Sequence, residues 1–131
     1  NPLNMQSKIN YQNVLLDVYD FFEKRIAKCN EIGISSSNII LDPGIGFGKT
    51  MKQNFTLIKN IALFHSLGCP LLLGASRKSF IGKLSKNNLN HNRIGGSVSS
   101  VVYGLSQGVS IFRVHDVHET KQAIKLYLNL R

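Results

Sequence analysis

The chain has 131 residues, 43% of them hydrophobic and 18% charged, a composition that is typical of a soluble globular protein and excludes a disordered tail or a fibre. Sixteen lysines and arginines against seven aspartates and glutamates give a net charge of +9, but at most two basic residues are adjacent, unlike a nucleic-acid-binding arm. The longest apolar runs are far shorter than the ~20 residues that cross a bilayer, so neither a nucleic acid nor a membrane is the expected partner.

The first predicted element is a helix from about residue 11 to residue 30, where apolar residues recur every three to four positions until Gly33 ends the pattern. The short apolar run 38–41 lies between serine-rich and Pro-Gly segments and predicts a buried strand. After a glycine-rich turn, four residues at helical spacing predict a second helix that Gly68 closes: Phe55, Ile58, Ala62 and His65.

The second half of the chain repeats this order. A buried strand is predicted at 70–74, a helix at 93–107 despite three internal glycines, a strand at 109–114 and a last helix from Val117 onward. Apolar strands separated by single helices predict an α/β fold, with a parallel sheet covered by helices. A doubly wound open sheet and part of an eightfold barrel both fit, whereas a complete barrel needs about 250 residues.

Charged and hydroxyl residues follow each of the three predicted strands. They occupy the segments 42–49 (DPGIGFGK), 74–79 (GASRKS) and 113–116 (RVHD). In parallel α/β folds the ligand lies beyond the carboxyl ends of the strands. The sequence therefore predicts a site that is assembled from several loops at one edge of the sheet.

The glycine-rich segment matches neither common phosphate-binding pattern. A P-loop has glycine at the position that Pro43 occupies, and the alternating glycines 44, 46 and 48 do not fit the dinucleotide-binding fingerprint. What remains is a turn with a carboxylate before it and an aromatic residue and a lysine behind it. A plain strand-to-helix turn is the alternative interpretation.

Arg113 and His115 are two positions apart on a predicted strand and therefore point to the same side. An unpaired buried charge is costly, so an anion bound between them explains the pair, and an internal ion pair of Arg113 with a carboxylate is the alternative. Ser76 and Lys78 share a side in the same way. The two cysteines, Cys29 and Cys69, lie far apart in apolar stretches and are expected to be buried thiols of a protein in the reducing cytoplasm.

Together the three motifs resemble those of dihydropteroate synthases, in the order in which that family carries them. Residues 1, 2, 5 and 6 (Asn-Pro and Met-Gln) also resemble the family's segment after its fifth strand. The resemblance implies an eight-stranded (β/α) barrel of the TIM type. Residues 1–131 would form the carboxyl-terminal half of the pterin-binding barrel domain, with strands six to eight and helices five to eight, and the amino-terminal half would be absent.

The resemblance also implies a reaction and a role for each matching residue. The family condenses 6-hydroxymethyl-7,8-dihydropterin diphosphate with 4-aminobenzoate to form 7,8-dihydropteroate and diphosphate, a step of folate biosynthesis. The pterin would be bound by Asp42 and Lys78, the diphosphate by Arg113 and His115, and the aminobenzoate by Phe47 and Ser76, and Gly74 would also belong to the substrate-binding residues. Asp42, Lys78, Arg113 and His115 would be the catalytic residues.

Partners and cofactors follow from the same resemblance. The family uses Mg²⁺ with the diphosphate, but the asparagine associated with the metal lies in the absent half, so no metal ligand is expected in this segment. The complete protein would form a homodimer, and the isolated chain would catalyse weakly or not at all. Two alternatives stay open: an inactive remnant of the enzyme, and a basic nucleic-acid-binding module supported only by the net charge of +9.

Overall fold

The structure, a computed structural model, describes residues 11–86 and 90–131. The segment at positions 1, 2, 5 and 6 therefore lies outside the described residues. Within them the α-helices and β-strands follow in this order: α1 (Val14–Glu31), α2 (Met51–Lys59), β1 (Leu72–Leu73), α3 (Ser79–Leu84), α4 (Ile94–Ser106), β2 (Ile111–Phe112) and α5 (Val117–Leu130). Three 3-10 helices are interspersed among them: Ser36–Asn38, Ile61–Leu67 and Asn90–Arg93.

The described sheet is parallel, as predicted. β1 and β2 pair with Leu72 opposite Ile111 and Leu73 opposite Phe112, and Leu41 joins the other side of β1 through a parallel bridge to Leu71. All three predicted strand positions are therefore neighbours, in the order of the chain. The α/β class is confirmed, with two short strands rather than three full ones in the described part of the chain.

The predicted strand at 38–41 is wrong except at its last residue. Ser35 accepts a hydrogen bond from the backbone N–H of Ser37, and a 3-10 helix covers Ser36–Asn38. Serine side chains that bond the nearby backbone favour such a turn over an extended strand. Ile40 is 53% exposed and only Leu41 is buried, so this run is not the fully buried strand that its apolar residues predict.

The first predicted helix is confirmed as α1. Asn13 caps it by accepting a hydrogen bond from the N–H of Leu16. One stripe of the helix is buried: Val14, Val18, Phe22 and Ile26. The chain leaves the helix through Gly33, whose φ of +91° suits glycine.

The second predicted helix is interrupted at Asn60. α2 ends there, and the chain continues as the 3-10 helix to Gly68. The buried face runs through Asn54, Leu57, Ile61 and Phe64, and each of these lies one residue before a member of the predicted set. Ala62 and His65 are exposed, which corrects the predicted face.

Close packing explains two of the three glycines of α4, whereas a Cβ at Gly95 would meet no atom within 4 Å. A Cβ at Gly104 would lie 2.8 Å from Cε1 of Phe112, and one at Gly96 would overlap the side chain of Ile81. These glycines let α4 approach β2 and α3 closely, so the helix that they weaken locally is stabilised by packing. The pattern did not predict α3 itself, because its six residues are too few to show a helical period.

The core lies on one side of the sheet, and the other side is open. Leu41, Leu71 and Leu73 are 1–3% exposed and pack with the buried residues of α1, α2 and the following 3-10 helix. On the opposite face, Leu72 and Ile111 are half-buried and Ile40 is exposed. One face of the sheet is therefore covered by helices, and the other is apolar and open among the described residues.

Other expectations concern the cysteines and the membrane. Cys69 is buried as predicted, whereas Cys29 is only half-buried because it lies at the margin of the α1 stripe, and both are free thiols. No helix in the described part of the chain has the length and apolar character that a membrane span requires.

Candidate functional site

The carboxyl ends of the three neighbouring strand positions surround one cavity of about 270 Å³. All seven residues predicted for the site line it: Asp42, Phe47, Gly74, Ser76, Lys78, Arg113 and His115. Ile45 and Arg77 complete the lining. The three motifs, which are far apart in the sequence, therefore converge as the parallel-sheet arrangement predicts.

Side-chain hydrogen bonds hold the glycine-rich turn after Leu41 in its shape. Asp42 Oδ1 accepts from the N–H of Gly44 at 2.9 Å, and Asn54 Oδ1 accepts from the N–H of Gly46 at 2.8 Å. The ammonium of Lys49 donates to the carbonyl oxygens of Gly44 (2.8 Å) and Phe47 (2.9 Å). Burial lowers the pKa of Lys49, and the charge of Asp42 opposes this shift.

Lys78 lies against the face of Phe47, with Nζ 4.3 Å from the ring centroid, a cation–π contact. Gly46 makes room for it, because a Cβ there would lie 3.0 Å from Cδ of Lys78. Burial lowers the pKa of Lys78, the positive charge of Arg113 lowers it further, and the charge of Asp42 raises it. The carboxylate, the ammonium and the guanidinium line the same cavity, where charges interact more strongly than in bulk water.

Ser76 connects the ends of the two strands. It is 6% exposed, its Oγ lies 3.0 Å from Nδ1 of His115, and Oγ also accepts from the backbone N–H of His115 at 3.1 Å. The hydroxyl that the resemblance assigns to the aminobenzoate thus bonds two atoms of one histidine. Its role toward a substrate stays a prediction.

Arg77 and Asp116 form the salt bridge of the site. The guanidinium donates to Asp116 from Nη2 at 2.7 Å and from Nε at 3.2 Å, and this hydrogen bonding lowers the pKa of the Asp116 carboxyl. Arg77 has a φ of +55°, which is unusual for a residue other than glycine. Its backbone N–H donates to Ser97 and its carbonyl accepts from Arg93, so α4 and the residue before it hold this strained residue in place.

Arg113 differs from Arg77 in its partners. Within residues 11–86 and 90–131, its guanidinium has no carboxylate partner, and Asp116, the acid closest to it in the sequence, is bonded to Arg77. The internal ion pair considered for Arg113 is therefore not found there. The cavity combines one carboxylate, Asp42, with the cationic side chains of Lys78 and Arg113, an arrangement that suits a ligand with an N–H edge and an anionic group.

Sequence reasoning missed three contributors to this geometry: Asn54, Ser97 and the Arg77–Asp116 pair. Arg77 and Asp116 lie inside two of the motifs, so their opposite charges at adjacent strand ends were the available signal. Asn54 lies on α2 and bonds the backbone of Gly46, eight residues before it, and Ser97 lies on α4 and bonds the backbone of Arg77, 20 residues before it. No local pattern indicates such contacts.

The described residues contain no cluster of three or more side chains of the types His, Cys, Asp and Glu. Mg²⁺ is usually held by one or two carboxylates together with substrate phosphates and water. Asp42 is the one carboxylate of the cavity lining, and cationic groups surround it.

Comparison with known proteins identifies a family. A family model described as pterin binding enzyme matches residues 1–115. Among curated proteins, the dihydropteroate synthase of Escherichia coli K12 is 42% identical over 126 residues, which cover 96% of this chain and 44% of that protein. The dihydropteroate synthase of Haemophilus influenzae is 39% identical over 126 residues, which cover 96% of this chain and 46% of that protein.

Solved structures give the same result. The chain superimposes on dihydropteroate synthase from Stenotrophomonas maltophilia with a TM-score of 0.94 and 34% identity, over 99% of this chain and 49% of that one. The Thermus thermophilus enzyme in complex with 4-aminobenzoate superimposes with a TM-score of 0.90 and 33% identity, over 99% of this chain and 52% of that one. The chain therefore spans about half the length of the relatives that it matches.

Proposed function

Because the chain belongs to the family of pterin-binding enzymes, we propose that it is the carboxyl-terminal part of a dihydropteroate synthase. The proposed reaction joins 4-aminobenzoate to 6-hydroxymethyl-7,8-dihydropterin diphosphate and releases diphosphate. The observation that carries the proposal is the convergence of the three motifs on one cavity that holds a carboxylate, an ammonium and a guanidinium. The identity of 42% to a relative with this name supports it.

The open face of the sheet supports a half-barrel architecture. Ile40, Leu72 and Ile111 lie on the same side of the strands as Asp42 and Arg113, because residues two apart share a face. A complete barrel would cover this side with the side chains of its remaining strands. We therefore propose that residues 1–131 need further strands, and that the chain alone turns over weakly or not at all.

Asp42 is proposed to bind the pterin. A pterin presents an amino group and a ring N–H side by side, and a carboxylate accepts two such hydrogen bonds in parallel. Lys78 lines the same cavity as Asp42 and would donate to the same ring. Gly74 lines the same cavity, and its lack of a side chain would let a flat ring approach the backbone there.

Arg113 and His115 are proposed to bind the diphosphate. The amine nitrogen of aminobenzoate attacks the methylene carbon of the pterin, a C–N bond forms, and the C–O bond to diphosphate breaks. The leaving diphosphate takes the electron pair, and the amine loses a proton to solvent. Two donors aimed at the diphosphate stabilise the charge that develops there, and positioning of the two substrates supplies the rest, without a covalent enzyme intermediate.

Phe47 and Ser76 are proposed to contact the aminobenzoate. Phe47 lines the cavity, and Lys78 lies against one face of its ring. An aminobenzoate in contact with Phe47 would therefore lie near Lys78 and the reacting methylene. The complex of the Thermus thermophilus enzyme with 4-aminobenzoate, and that of the same enzyme with 6HMPPP, support these substrate classes for this chain.

Titration of a pterin ligand into the protein, with the amino-terminal half supplied, tests the proposal. We expect Asp42→Asn to weaken pterin binding by about 10- to 100-fold, since hydrogen bonds to charged groups contribute about 1.5–3 kcal/mol each. Asp20→Asn is the matched control, because Asp20 is an exposed carboxylate on α1. Pterin binding that is unaffected by Asp42→Asn, or pterin density away from Asp42 and Lys78, would contradict the proposal.

A further inference from the structure

Ser76 and His115 are linked by two hydrogen bonds across the ends of β1 and β2. The serine hydroxyl is buried and accepts from the backbone N–H of His115 at 3.1 Å, while Nδ1 of the ring lies 3.0 Å from the same oxygen. Both atoms come from a residue 39 positions away in the sequence. The hydroxyl is therefore surrounded by one histidine and is not an incidental surface contact.

The number of hydrogens decides which ring nitrogen carries the proton. A serine hydroxyl has one hydrogen to donate. If Oγ accepts the backbone N–H, its own hydrogen is available to Nδ1, which must then be unprotonated, and the neutral ring carries its hydrogen on Nε2. The other tautomer would make Oγ accept twice and leave the hydroxyl hydrogen without an acceptor among the described residues, so that only the contents of the cavity could accept it.

We propose that Ser76 is a positioning residue that holds neutral His115 as the Nε2–H tautomer, so that an N–H donor faces the cavity beside Arg113. The identity of the acceptor, the diphosphate, rests on the proposed function, but the tautomer does not. In this tautomer the histidine offers a hydrogen to a phosphate oxygen without first gaining a proton. The opposite tautomer would present a lone pair to that oxygen and repel it.

The Arg77–Asp116 salt bridge supports the same arrangement. A carboxylate that accepted from Nδ1 would favour the Nδ1–H tautomer, and Asp116 is adjacent to His115 in the chain. Its two oxygens instead accept from Nε and Nη2 of Arg77 at 3.2 and 2.7 Å. Both carboxylate oxygens are thus bonded to Arg77, and the hydrogen-bond partner of Nδ1 is the serine hydroxyl.

Nitrogen NMR of the four histidines tests the proposal directly. The His115 signals are assigned by their loss in His115→Gln, and spectra are recorded where the ring is neutral. We expect the wild-type ring to show a protonated Nε2 and an unprotonated Nδ1, and Ser76→Ala to show a mixture of both tautomers. Ser76→Thr keeps the hydroxyl and is expected to restore the single tautomer.

The control is Ser66→Ala, which removes a hydroxyl bonded to Tyr19 at 2.9 Å outside the cavity lining. It should leave the His115 signals unchanged. A wild-type ring protonated mainly on Nδ1, or an unchanged tautomer in Ser76→Ala, would overturn the proposal. The wild-type spectrum decides alone if Ser76→Ala does not fold.

Calorimetry with inorganic diphosphate separates this inference from the proposed function. We expect Ser76→Ala to bind diphosphate about 3- to 10-fold more weakly than the wild type, the effect of one misdirected hydrogen bond, and Ser66→Ala to bind it equally. If the wild type binds no diphosphate while its tautomer is as proposed, the assignment of the leaving-group site fails and the role of Ser76 stands.

Discussion

Gly46 is the position at which one methyl group should move a functional side chain. Its φ of +87° is in the left-handed region, and a Cβ there would lie 3.0 Å from Cδ of Lys78. Gly33 has nearly the same φ, +91°, but a Cβ there would meet no atom within 4 Å. Gly46→Ala and Gly33→Ala therefore share the backbone strain and differ in the contact with Lys78.

The two variants should lose similar amounts of stability. Alanine in the left-handed region costs about 1–2 kcal/mol, and the smaller entropy of the unfolded alanine chain offsets about 0.4–1 kcal/mol of that. Each should therefore lower the free energy of unfolding by about 1 kcal/mol. In Gly46→Ala the methyl group must also displace Lys78 by about 0.5 Å, because carbon atoms pack at about 3.5–4.0 Å. A flexible lysine accommodates this at little cost in stability.

In Gly46→Ala the ammonium of Lys78 should move away from the Phe47 ring, whose centroid lies 4.3 Å from Nζ in the structure. Urea denaturation measures the stability of both variants, and proton NMR measures the ring-current shifts that Phe47 imposes on the Lys78 methylenes. We expect these shifts to fall in Gly46→Ala alone, together with a loss of pterin affinity of about tenfold from the misplaced donor. Equal shifts and equal pterin affinity in the two variants would refute the placement of Lys78 against Phe47.

Three further predictions concern the cavity and the core. Asp116→Asn should destabilise the protein at neutral pH, because Arg77 lowers the folded pKa of Asp116 below its unfolded value of about 3.9. The stability that the pair contributes is therefore present above about pH 4 and is lost as the pH falls through the folded pKa. Urea denaturation across this pH range measures the loss. Arg113→Met should weaken binding of inorganic diphosphate by about 10- to 100-fold in calorimetry, because it removes charge-assisted hydrogen bonds. Leu57→Ala should lower the free energy of unfolding by about 2–5 kcal/mol, because the side chain is fully buried, whereas Leu63→Ala, at a position 43% exposed, should cost much less.

Each of these has a result that would contradict it. A stability difference between wild type and Asp116→Asn that persists unchanged well below pH 4 would show that the ionised pair is not its source. Undiminished diphosphate binding in Arg113→Met would remove the guanidinium from the leaving-group site. Equal losses in the two leucine variants would mean that Leu57 is not at the centre of the core.

Much of the local structure could be predicted because short-range patterns carry it. The apolar stripe of α1 and the span of α4 depend on residues one turn apart. The glycines at 33, 68 and 108 end helices, and all three have a positive φ, which the sequence signals by residue type alone. The break of the helix at Asn60 and the shortening of the first strand were not predicted. At both places an asparagine or serine side chain bonds nearby backbone atoms, and these bonds compete with regular helix or strand structure.

The sequence by itself determined which residues stand at the ends of the strands, because alternation along a strand and the parallel order of the sheet follow from local patterns. Only the tertiary structure decided how those residues pair. Arg77 binds Asp116 rather than leaving that carboxylate to Arg113, and Ser76 bonds His115, in both cases across 39 positions. Such choices depend on distances between loops that different helices hold, and no spacing within a single segment encodes them.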